Sequence, residues 1–266
     1  MERKTFEKFR ALVYDQCGIT LGNQKEALVS ARVAKRMRAL GIESHEAYFD
    51  AVVHDRSGAE LVQLIDAIST NFTNFFREPV HFDLLTKLLA DWKAAGQRRF
   101  RIWCAAASTG EEPYTLAMTV LEALGGQAAD TRILATDIST RVLHKCREGR
   151  YDTQRVATVS AELRRRYFDE VQGEKGTLFE AKDALRSLLV FRRLNLSTPP
   201  FPMQGPFDAV FCRNVMIYFD NHVRTRLVDE MYRLLKPGGY LMVGHAESLT
   251  GLDTAFRSVR PSVYVK

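Results

Sequence analysis

The segment Arg101–Tyr114 (RIWCAAASTGEEPY) runs from an apolar strand through a turn of small residues into a helix whose first two residues are acids. That order belongs to α/β proteins, in which a parallel strand feeds a tight turn and then a crossover helix. The turn from Ala105 to Gly110 has little side-chain bulk, so backbone there can approach a ligand closely. Glu111 and Glu112 put negative charge where a helix N-terminus would otherwise attract a phosphate. The three glycines of a dinucleotide fingerprint are missing, since this turn has Gly110 alone. A pyrophosphate is therefore disfavoured, although the unit taken alone also fits an ordinary tight connection in a parallel sheet.

Downstream segments extend the pattern. Arg132–Asp137 (RILATD) reads as a second apolar strand ending in a carboxylate, and an acid there accepts ribose hydroxyls in many α/β folds. The other reading of Asp137 is a helix N-cap beside Ser139 and Thr140, and the two are compatible. Phe207–Cys212 is a further strand that delivers Arg213, Asn214 and Tyr218 to its carboxyl end, where open α/β sheets place their ligands. Leu234–Gly239 closes a helix with a Pro-Gly-Gly turn, Tyr240–His245 is a strand, and Ser262–Lys266 ends the chain as a strand able to pair antiparallel. An acid-lined crevice of this kind suits a cationic adenosine compound without phosphates, and S-adenosylmethionine is the common one.

Three blocks carry a family likeness: Thr70–Glu78 (TNFTNFFRE), Ala105–Tyr114 (AAASTGEEPY) and Phe211–Asp220 (FCRNVMIYFD). In this order they resemble the signature blocks of the chemotaxis receptor methyltransferases of the CheR type, and the likeness runs over nearly the whole chain. It implies a class I methyltransferase: a Rossmann-like, mostly parallel seven-stranded sheet with an antiparallel last strand, a small all-α domain in front and a small β insert. The implied reaction moves a methyl group from S-adenosylmethionine to glutamate side chains on the cytoplasmic helices of a chemoreceptor, leaving S-adenosylhomocysteine. A carboxylate is already ionised at pH 7, so no general base is needed. The protein has mainly to align the reactants, which alone can supply about 7 to 11 kcal/mol.

Arg77 is the expected holder of the incoming carboxylate, since a guanidinium binds bidentately and stays charged; a surface salt bridge to Glu78 or another acid is its plainer alternative. Tyr218 is the second catalytic candidate. Carried over from the family as cofactor contacts are Asn71, Thr73, Arg77, Glu112, Asp137, Asn195, Leu196, Arg213 and Asn214, with Glu112 ahead of Glu111 although spacing does not decide which of the two faces inward. Asn71 and Thr73 alternate on an extended approach to a helix starting near Pro79, so they face one side together. Phe72, Phe75 and Phe76 are read as anchors packed in the core.

The domains are placed at 1–72 (all-α) and 73–266, with the insert at about 151–189. Phe6, Phe9, Leu12 and Val13, then Val29, Val33, Met37 and Leu40, recur at helical spacing, and Gly41 suits the end of the second helix. Residues 1–70 hold ten Lys or Arg against ten Asp or Glu, so the basic charge gathers on one helix through Arg32, Lys35, Arg36 and Arg38. That face is either simply solvated or a docking surface for an acidic receptor helix. Gly173 and Gly176 mark a hairpin within the insert, which in some family members docks a peptide from the receptor's C-terminus. Cys17, Cys104, Cys146 and Cys212 are scattered, which argues against zinc and disulfides, and no metal is expected. The chain is expected to be a cytoplasmic monomer with no membrane insertion. The net charge of +6 admits nucleic acid as a rival substrate, but no base-handling motif supports it. A regulator that has lost catalysis is the other rival, disfavoured because Arg77 and Tyr218 are intact.

Overall fold

Residues 1–69, 72–126, 130–174 and 176–266 are described by a computed structural model. The chain opens with four helices, α1 (Arg3–Cys17), α2 (Glu26–Leu40), α3 (His45–His54) and α4 (Ala59–Ile68). The stripes of α1 and α2 meet in a core of Phe6, Phe9, Val13, Val29, Val33 and Met37 with Tyr48 and Leu64. Leu12 is only partly buried and Leu40 is exposed, so each stripe is one residue narrower than its periodicity suggests. Gly41 ends α2 at φ 69°, where an L side chain is disfavoured; its N–H bonds the Arg38 carbonyl while that of Ile42 bonds Met37, a Schellman ending.

The second part begins with α5 (Val80–Ala94), β1 (Arg99–Cys104), α6 (Glu111–Leu124), β2 (Asp130–Asp137) and α7 (Thr140–Glu148). A small antiparallel sheet follows from β3 (Arg150–Asp152), α8 (Ala161–Tyr167), β4 (Phe168–Gly173) and β5 (Gly176–Ala181), in the order β3-β5-β4. The chain then rejoins the main sheet through α9 (Asp183–Arg186), β6 (Leu189–Arg193), β7 (Phe207–Cys212), α10 (Asn221–Leu234), β8 (Leu235–Val243), β9 (Arg257–Arg260) and β10 (Val263–Val265).

The main sheet has seven strands in the order β6-β2-β1-β7-β8-β10-β9. Strands β6, β2, β1, β7 and β8 pair in parallel, and β10 runs antiparallel to both its neighbours. Alternation along β1 sends Ile102 to one face, with Leu85, Leu89 and Leu116, and Trp103 to the other, with Val210, Leu227 and Met231. With both faces covered, β7 is buried at every residue. Asp208 inside it is satisfied by the Arg101 N–H at 2.6 Å, Gln97 at 2.8 Å and Lys236 at 2.6 Å. The strand order reverses between β1 and β7, which opens a crevice beyond the carboxyl ends of β1, β2 and β7.

Two local readings need correction. Pro237-Gly238-Gly239 lies within β8, where the pairing jumps from Leu235 opposite Phe207 to Tyr240 opposite Ala209, and so forms a bulge in a strand. The approach to α5 is not extended: residues 75–79 turn, with Phe76 and Glu78 at φ 55° and 56°.

Candidate active site

The turn after β1 presents Ala106 and Ser108 to the crevice, while its glycine serves a different purpose from the one the sequence suggests. Gly110 sits at φ 104°, and a Cβ there would stand 2.4 Å from the Tyr151 hydroxyl of β3, so its bareness admits the insert rather than a ligand. The two acids that follow point apart. Glu111 is fully buried; Arg155 pairs with it at 2.8 Å and Thr109 donates to it at 2.6 Å. Glu112 lines the crevice. Its carboxylate receives Arg213 at 2.7 Å and the Cys104 thiol at 3.2 Å. Burial pushes the Glu112 carboxyl upward against the opposing pull of Arg213, and it pushes the Cys104 thiol well up, keeping that sulfur a protonated donor.

Arg213 leaves β7 with its side chain fully buried and turns under the floor of the crevice. It joins Glu112 to Glu78, 3.0 Å away, donates to the Arg77 carbonyl, and lies over the Phe82 ring with 5.4 Å to the centroid. Glu78 therefore belongs to Arg213 and not to Arg77, and among the described residues no acid pairs with Arg77. The Arg77 guanidinium instead donates to the Phe72 carbonyl at 3.1 Å and lines the crevice. Phe72 overturns its reading as a core anchor: it is 77 % exposed at the crevice mouth, whereas Phe75 is buried against Tyr151 and Phe168, and Phe76 is half-buried against Phe82. Three aromatics within five residues cannot all reach one core from a turning backbone.

Asp137 ends β2 facing the same space. It accepts the Ser108 N–H and the Ser139 N–H, each at 2.9 Å. It is not the N-cap of α7; Ser139 is, its hydroxyl accepting from the Val142 N–H. Burial raises Asp137 to about 6. An ionised carboxylate has about four acceptor positions, so these bonds leave room for ligand hydroxyls. The Ser108 hydroxyl is itself buried without a partner among the described residues and lines the crevice.

Thr73, Arg77, Glu112, Asp137, Arg213, Asn214 and Tyr218 thus share one cleft, and Asn195 and Leu196 line an adjoining hollow that shares Asp137 and Tyr218 with it. Asn71 lies outside the described residues. The opposite wall comes from the helical part: Ile19, Leu21, Lys25, Leu28, Val29 and Ile68. Lys25 stands over the Tyr218 ring, 5.1 Å from its centroid. The walls are stitched by the Tyr14 hydroxyl donating to Asp220 at 2.5 Å, the Thr20 N–H to the Tyr218 carbonyl at 2.8 Å and Asn195 to the Gln16 carbonyl at 2.8 Å, with a strand-like bridge between Ile19 and Phe219.

Glu247 escaped the sequence reading. Nearly buried, it accepts the N–H groups of Gly244 at 2.6 Å, Asn214 at 2.7 Å and Ile217 at 3.3 Å, fixing the loop that carries Tyr218. An acid shortly after a strand end was the available signal. Nearby, His81 is buried, and burial pushes its imidazole down to about 4, so its 3.7 Å approach to Glu78 is neither an ion pair nor a hydrogen bond.

The four basic residues of α2 divide. Arg32, Lys35 and Arg36 line a groove with Asp66 and Arg141, and Arg38 is exposed outside it. Arg32 donates to the Ser69 carbonyl at 3.1 Å, and Arg36 grips Glu60 through two bonds of 2.7 and 2.6 Å. Part of the charge on this face therefore holds the helical domain together.

The strand order, the phosphate-averse turn and the acid-lined cleft define a class I, S-adenosylmethionine-dependent methyltransferase. The models of two family domains match: "CheR methyltransferase, SAM binding domain" over residues 71–265 and "CheR methyltransferase, all-alpha domain" over residues 4–69. The chain belongs to the CheR methyltransferase family. It is 40 % identical over 262 residues to chemotaxis protein methyltransferase 2 of Pseudomonas aeruginosa, covering 98 % of this chain and 92 % of that one. The chemotaxis protein methyltransferase of Salmonella typhimurium is 37 % identical (97 % and 88 % covered) and that of Escherichia coli 36 % (97 % and 89 %). No helix among the described residues is long and apolar enough to cross a membrane.

Proposed function

We propose that this protein methylates glutamate side chains on the cytoplasmic helices of a chemoreceptor, producing glutamate methyl esters and S-adenosylhomocysteine in the cytoplasm. The observation that carries the reading is the polarity of the cleft: Glu112 and Asp137 at its inner end, Arg77 beside exposed Phe72 at its mouth. S-adenosylmethionine supplies an electrophilic methyl group on a sulfonium centre. Glu112 suits the ammonium of that donor and Asp137 its ribose hydroxyls, with Asn195 and Leu196 on the adenine side and Thr73, Arg213 and Asn214 around the reacting end. Arg77 holds the incoming carboxylate, which needs no base because it is already ionised. Tyr218, set by Glu247 and by the Thr20 N–H, orients the reacting groups with its hydroxyl. Lys35 and Arg38, exposed on α2, offer complementary charge to an acidic receptor helix. The edge of β4 is open to a receptor C-terminal peptide. The names of the relatives, all chemotaxis protein methyltransferases, support the same pathway.

The test is transfer of labelled methyl to a receptor cytoplasmic fragment. Base-labile label is expected, and Arg77→Ala is expected to lower the rate at least about 100-fold while thermal melts show the fold intact. Label on nucleic acid, base-stable label, or an active Arg77→Ala variant would refute the proposal.

A further inference from the structure

Beside the cleft the chain gathers groups that methyl transfer does not use. Glu78 sits in the turn before α5, His81 in the first turn of α5, and His245 just after β8. One ligand atom from each lies within 4.8 Å of the others, and Glu78 Oε2 is 3.7 Å from His81 Nδ1. His81 is 1 % exposed, and neither of its ring nitrogens has a hydrogen-bond partner among the described residues. Such a group is costly to leave unmatched in a folded interior. His245 is exposed, so the cluster is sealed on the His81 side and open to solvent on the other.

We propose that Glu78, His81 and His245 form a binding site for a divalent ion of the zinc class. Two imidazoles and a carboxylate suit Zn²⁺, Co²⁺ or Ni²⁺ better than Mg²⁺ or Ca²⁺, which favour all-oxygen shells. Ligand atoms about 2.0–2.1 Å from a tetrahedral ion lie roughly 3.3 Å from one another. The Glu78–His81 pair is already near that spacing, and the remaining closure is small enough for the exposed His245 ring to make by rotation. Its backbone N–H already bonds Glu78 Oε1 at 3.2 Å, which keeps the ring within reach. Glu78 is also oriented from behind by Arg213 at 3.0 Å and Asn214 Nδ2 at 3.5 Å, as carboxylate ligands usually are. The open side leaves a coordination position for water. The scattered cysteines gave no hint of this site, because the signal lies in two histidines 164 positions apart.

The experiment uses the full chain freed of metal by chelator dialysis. Calorimetry with Zn²⁺ is expected to show one site, and Co²⁺ to give the intense visible absorption of a four- or five-coordinate centre. His245→Ala, a surface change, is expected to weaken binding at least about tenfold and to abolish the Co²⁺ bands, while His144→Ala on the exposed face of α7 leaves both unchanged. Absence of one-to-one Zn²⁺ binding would overturn the proposal. So would a His245→Ala protein that keeps the affinity and the spectrum, since other residues would then hold the ion.

Discussion

Replacing Arg213 by methionine keeps much of the side-chain volume and removes the guanidinium that stands between Glu78 and Glu112, whose side chains are only 13 % and 12 % exposed. With about 4 Å between charge centres and an effective dielectric constant near 20, each attraction is worth ~4 kcal/mol. The loss does not reach twice that, because a stranded carboxylate takes up a proton instead. Holding a carboxyl of ordinary pKa protonated at pH 7 costs about 3.5 kcal/mol, and burial, which already pushes Glu112 upward, makes it cost less. Glu78 keeps the His245 N–H and Asn214 as donors. The expected destabilisation at pH 7 is therefore about 3–5 kcal/mol, the range of broken buried ion pairs. It shrinks as the pH falls toward 5, where a protonated carboxyl no longer needs the cation. Guanidinium chloride unfolding at both pH values measures it, with Arg213→Met/Glu112→Gln as the companion variant, expected to recover part of the loss. A loss under about 1 kcal/mol at pH 7, or no recovery in the companion, would show that the buried triad is not what holds this end of the sheet.

Two further outcomes follow from the same cleft. Asp137, raised to about 6 by burial, binds a proton in the native state before it does in the unfolded chain. Its contribution is therefore unfavourable above pH 6 and is relieved as the pH falls through 6 toward 4, by up to about 3 kcal/mol. With Asp137 in its proposed role of accepting ribose hydroxyls in the ionised form, binding of S-adenosylhomocysteine is expected to weaken over that window, and Asp137→Asn to flatten both profiles; thermal melts and calorimetry from pH 5 to 8 check this, and a wild-type affinity that stays flat would contradict it. Gly110→Ala forces a side chain into φ 104° and against the Tyr151 hydroxyl, with an expected loss of about 2–4 kcal/mol. Tyr151→Phe in the same chain relieves the contact but not the backbone strain, so melts of the double variant should recover only part.

The parallel sheet was legible because buried strands are written as apolar runs: β1, β2 and β7 all end where RIWC, RILATD and FDAVFC end. β9 was not, since all four of its residues are exposed and RSVR carries no alternation. The cleft residues were legible as blocks but not as partners. Glu78 and Arg213 are 135 positions apart, and only folding shows that the first belongs to the second. Glu247 acts through backbone N–H groups, which leave no trace in side-chain pattern. Phe72 was misjudged because an aromatic run says nothing about where the backbone turns, and a basic stripe such as that of α2 does not show which of its members also reach carbonyls and Glu60.

The seam between residues 16–20 and 218–220 carries a consequence for how the molecule can be divided. Its links include a main-chain bond to the carbonyl of Tyr218 itself, so the backbone that carries this phenol is held in place by the helical half. A fragment shorn of residues 1–69 would lose one bank of the channel together with that stitch.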